Sequence, residues 1–104
     1  MAWYVYPAHF LGGALLANSL PHLIAGIAGK PLQSPFASPP FKGLSSPTVN
    51  VAWALANLAS AYLLLRVGSL DLRNWFDAGV CFVGFAAMAF QCSRAFARLR
   101  QTVD

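Results

Sequence analysis

Residues 8–29, AHFLGGALLANSLPHLIAGIAG, decide the fold. Neither they nor the seven residues before them contain an Asp, Glu, Lys or Arg, so the first charged side chain is Lys30. A run of about 20 apolar residues is what one helix needs to cross a hydrocarbon core roughly 30 Å thick. Working outward, two more segments have the same character, from Val49 to Val67 and from Trp75 to Arg94. Only 10% of the 104 residues are charged, against about 25% in a typical soluble domain, and 58% are hydrophobic. The expected fold is therefore all-α: a single membrane domain of three transmembrane helices, spanning 8–29, 49–67 and 75–94.

The remaining segments fit between these spans. Residues 1–7 carry Trp3, Tyr4 and Tyr6, ring types that favour the headgroup level of a bilayer. The 30–48 connection holds prolines at 31, 35, 39, 40 and 47, too many for a helix, and is too apolar for a disordered linker. Within it Phe36, Phe41, Leu44, Pro39 and Pro40 are expected to lie against the membrane surface or a partner. Ser46 followed by Pro47 reads as an N-cap and first helical position for the second span. Asn74 with Asp77 reads in the same way for the third. The basic tail, 95–104, is expected to be an exposed helical end.

Charge sets the orientation. With three spans, Lys30, Lys42, Arg94, Arg98 and Arg100 fall on one side and only Arg66 and Arg73 on the other. The positive-inside rule then puts the N-terminus outside and the C-terminus in the cytoplasm. Trp3, Tyr4, Tyr6, Tyr62 and Trp75 gather at the outer interface in that arrangement. The N-terminus lacks the basic start of a secretory signal, so no cleavage is expected. Cys81 and Cys92 share a helix about 16 Å apart, which forbids a bridge between them. The basic residues form no patch interleaved with aromatics, which excludes nucleic-acid binding.

Polar residues within the spans are the candidate functional positions. Asn18 and His22 share a face of the first span, and Asn50 and Asn57 share one of the second. Counted from the outer interface, Asn18 matches Asn57 in depth and Asn50 matches Gln91 on the third span. Hydrogen bonds Asn18–Asn57 and Asn50–Gln91 are therefore expected to stitch the helices, at about 0.6–2 kcal/mol each. Small-residue stripes, Ala52/Ala56/Ser60 and Gly13/Ala17, together with Gly12, Gly79 and Gly84, are expected to admit close helix approach. Pro21 is expected to kink the first span, with His22 satisfied beside the carbonyl that the proline frees.

No carboxylate lies deep in a span and no Ser, Cys or Lys has a base beside it; metal-ligand clusters and phosphate loops are also missing. A non-enzyme follows. The leading expectation is an accessory, assembly or structural subunit of a larger membrane complex, with respiratory or photosynthetic electron transfer as a natural host. A homo-oligomeric channel or transporter with Asn18, His22 and Asn57 facing a pore is the alternative. A third is haem or pigment ligation through His9 or His22, thirteen residues apart, with no other cofactor and no metal expected.

Three stretches, NSLPH at 18–22, PFASPP at 35–40 and SSPTVN at 45–50, together resemble a group of small bacterial inner-membrane proteins of no known activity. The resemblance covers about the first sixty residues. It implies a bacterial inner-membrane location and no particular chemistry.

Overall fold

A computed structural model describes the backbone of residues 2–103 and the side chains of residues 2–100; Met1 and Asp104, the two ends of the segments read above, lie outside the described residues. Three helices follow one another, α1 (Val5–Ile27), α2 (Pro47–Val67) and α3 (Trp75–Val103), and each is long and apolar enough to cross a membrane. α1 begins at Val5 rather than Ala8. α3 continues to Val103, well past Arg94, because nothing between Arg94 and Val103 breaks a helix; it absorbs the described part of the basic tail.

Both expected caps are present. Ser46 Oγ accepts from Val49 N at 3.2 Å, with Pro47 opening α2. Asn74 Oδ1 accepts from the amides of Phe76 and Asp77, at 2.9 and 3.2 Å. α1 runs unbroken through Pro21 and ends on Gly29 at φ 73°, where Gly29 N donates to Gly26 O and Lys30 N to Ala25 O. That pair of bonds is a Schellman closure. α2 ends in the same closure, Ser69 N to Arg66 O and Leu70 N to Leu65 O, yet the left-handed residue is Ser69 at φ 53°. Gly68, one position earlier, is needed for another reason: a Cβ there would come within 2.9 Å of the His9 ring.

The 30–48 connection is folded rather than merely extended. Leu32–Gln33 (β1) and Leu44–Ser45 (β2) pair antiparallel, Leu32 opposite Ser45. Strands this short carry no readable alternation, so the sequence offered no period to detect. Inside the loop Ser34 and Ser45 bond through their hydroxyls, and Ser34 O accepts from Phe41 N at 2.9 Å. Ser38–Pro39 is cis and Phe41 takes φ 65°.

α1 is the central helix. It packs against α2 on one side and α3 on the other, while α2 and α3 scarcely touch. Its buried residues are Ala8, His9, Gly12, Gly13, Ala14, Ala17, Ser19 and His22, all small or polar. Gly13 lies on the Cys81 carbonyl and Gly84 on the Phe10 carbonyl, so either Cβ would run into the facing backbone. The α1–α3 seam is therefore a backbone-to-backbone contact of the kind that small residues permit. Gly79, by contrast, meets nothing within 4 Å, and Ala52, Ala56 and Ser60 are all exposed. The expected α2 stripe is not used within the chain; α2 instead buries Asn50, Ala54, Asn57 and Ala61.

Candidate functional site

His9, Asn18 and His22 lie at three levels of α1, and each reaches an element folded against it; Ser19 bonds within the helix, to Leu16 O. Near the start of α1, His9 is fully buried and its Nε2–H donates to the Gly68 carbonyl at 3.0 Å. Its Nδ1 has no partner and stands 3.9 Å from Asp77 Oδ1. The other Asp77 oxygen accepts from Asp71 N at 3.2 Å. Thus the end of α2 and the start of α3 are clasped around one imidazole. Nε2 is committed to Gly68, and Nδ1 is the ring atom left without a hydrogen bond.

At mid-depth, Asn18 Nδ2 donates to Asn57 Oδ1 at 3.0 Å, the pairing read from depth alone. Asn57 passes the chain on to Trp53 O at 2.8 Å, and the Cys92 thiol reaches Asn18 Oδ1 at 3.5 Å. Both asparagine side chains at this level are thereby offered partners.

Near the end of α1, the sequence expectation is corrected twice. Asn50 does not meet Gln91, and His22 does not turn to a carbonyl freed by Pro21. His22 Nδ1 and Asn50 Oδ1 are instead 2.7 Å apart, while Asn50 Nδ2 points at three carbonyls, Leu32, Ser45 and Ser46, each at 3.1 Å. Equal depth failed for Asn50 and Gln91 because their helices are not neighbours. Asn50 is fully buried and ties α2, the β-ladder and α1 into one unit.

Beside this junction lies a cavity of about 400 Å³, bounded by α1, α2, α3 and the connection. It occupies the gap left because α2 and α3 scarcely touch. Asn18, His22, Gln91 and Cys92 supply polar edges, Trp53, Met88 and Phe96 supply apolar wall, and Lys42 and Arg98 bring positive charge to it. The rings of Trp53 and Phe96 flank His22 edge-on, with centroids 6.5 and 5.9 Å from its own. Phe41 also lines the cavity, whereas Phe36 packs on Trp53 at 5.2 Å. Both phenylalanines are largely exposed, as are Pro39 and Pro40 at the loop tip.

Sequence reasoning missed Lys42, Arg98 and Trp53 as parts of a site. Lys42 and Arg98 are 56 residues apart in the chain, and only the folded connection brings Lys42 over the end of α3. Among the described residues no group of three His, Cys, Asp or Glu side chains converges as a metal site would require. Comparisons with protein-family models, with curated proteins and with solved structures found no match.

Proposed function

We propose that this chain is a non-catalytic accessory or structural subunit, embedded in a membrane and packed into a larger complex. The observation that carries the reading is an inverted distribution of side chains. Among the described residues the buried hydrophobic side chains are all alanines, while Ile24, Leu63, Phe82 and Phe90 are 61–71% exposed. In water this surface would be a severe aggregation liability. Facing lipid it costs nothing, and small residues inside with large apolar ones outside is how membrane helices pack. The unused α2 stripe and Gly79 then become smooth outer faces on which a neighbouring helix can lie.

The resemblance over about the first sixty residues favours a bacterial inner membrane, and the basic ends of the spans favour a cytoplasmic C-terminus. The pore reading is less well supported. Asn57 and His22 are 2% and 3% exposed and are turned into the α1–α2 seam, not toward a second copy. For a haem or pigment, His9 already bonds Gly68 through Nε2, whereas His22 lines a cavity.

Native mass spectrometry of the protein released gently from its own membrane tests this function. Larger chains co-purifying at a fixed ratio are expected. A bare homo-oligomer would overturn the subunit reading.

A further inference from the structure

We infer that the inner-end cavity binds one anionic phospholipid whose headgroup carries a hydroxyl, such as a glycerol headgroup. The inference goes beyond the subunit reading and does not depend on it; it requires that the helices span a bilayer with the cavity at the cytoplasmic face. Three observations converge on the same space. The first is shape: about 400 Å³ lies within the range of small-ligand pockets, roughly 300–1,000 Å³, and opens where α2 and α3 part. Trp53, Met88 and Phe96 give an acyl chain an apolar wall.

The second is charge. Lys42 and Arg98 line the cavity from the connection and from the end of α3, and neither has a carboxylate partner among the described residues. Basic pockets between membrane helices on the cytoplasmic side are suited to anionic headgroups. The third is an unused ring nitrogen. Asn50 Nδ2 is committed to three carbonyls, so Asn50 Oδ1 is the acceptor and His22 Nδ1–H the donor. In the neutral ring Nε2 is then a lone-pair acceptor, with no partner among the described residues, on a side chain that is 3% exposed and lines the cavity. His22 lies about 7 Å below the inner end of α1, the depth of the interfacial region. A hydroxyl donor answers Nε2, a phosphate answers Lys42 and Arg98, and one lipid supplies both.

The test uses the full chain carrying Trp3→Phe and Trp75→Phe, so that Trp53 reports alone on the cavity. It is reconstituted in phosphatidylcholine vesicles with increasing fractions of brominated-chain phosphatidylglycerol, and separately of brominated-chain phosphatidylcholine. Phosphatidylglycerol is expected to quench Trp53 beyond its mole fraction, with a preference of about fivefold for each cation. The preference should fall toward unity in Lys42→Gln/Arg98→Gln, two exposed side chains that the fold does not need. Phosphatidylmethanol, of equal charge but without the glycerol hydroxyls, is expected to bind more weakly. Equal quenching by phosphatidylglycerol and phosphatidylcholine would overturn the proposal, as would a preference that survives the double variant. Equal binding of the two anionic lipids would overturn the assignment to His22 of a hydroxyl partner.

Discussion

Toward α2, helix α1 presents His9, Asn18 and His22, each hydrogen-bonded to something on the other side. Toward α3 it presents Gly13 and the Phe10 backbone, which meet Cys81 and Gly84 with no side chain between them. One helix thus makes two seams from different materials. The polar seam fixes register, because an asparagine displaced by one turn leaves donors and acceptors stranded in a place without water. The glycine seam fixes distance but not register, and beyond Gly84 it continues through Asn18 to Cys92 and His22 to Phe96. A membrane helix pair has no hydrophobic force to hold it, so both close contact and hydrogen bonding serve as sources of association.

Substitutions can break either seam separately. The largest effect is expected from Gly84→Leu, which forces a branched side chain into the Phe10 carbonyl and parts α3 from α1. A loss of about 3 kcal/mol or more follows from overpacking against backbone, measured by steric-trap unfolding in bicelles. Gly79→Leu on the same helix meets open space and should leave the isolated chain unchanged. If the two variants behave alike, the glycine seam is misplaced.

Asn50→Leu comes next. It removes the donor shared by three carbonyls and the acceptor of His22, and unpaired buried groups cost roughly 1–3 kcal/mol. The loss should be local at first: amide exchange at Leu32 and Ser45 is expected to quicken while α3 stays protected. Asn57→Leu removes one interhelical bond and one bond to Trp53 O, so a fall of about 0.6–2 kcal/mol is expected from its thermal denaturation in detergent. The smallest effect on the chain itself belongs to Ala56→Leu, which lies on the exposed face of α2. Its melting should not move, but its recovery with partner chains should drop if that face is where they pack.

The contrast between the seams also explains what the sequence could show. The three helices were legible because charge-free length and the Ser46 and Asn74 caps are local signals. The Asn18–Asn57 bond was legible because the two residues are matched in depth on helices that do pack. Asn50 was misread for lack of a neighbour relation: nothing in residues 75–94 says that α3 lies against α1 alone. The β-ladder at Leu32 and Leu44 was hidden because two-residue strands have no pattern, and with it went the placement of Lys42 beside Arg98. Ala52, Ala56 and Ser60 form a proper small-residue stripe, but spacing gives a face without saying what covers it.

All of this rests on three crossings of a bilayer, with the folded connection on one side and the α2–α3 turn on the other. The most direct measurement replaces Cys81 and Cys92 by Ala, places a single cysteine at Ser38 or Ser69, both exposed, and treats intact spheroplasts with a membrane-impermeant maleimide. Ser69→Cys is expected to react from outside, and Ser38→Cys only after the membrane is opened. Labelling of both positions from the same side would contradict the three-span arrangement.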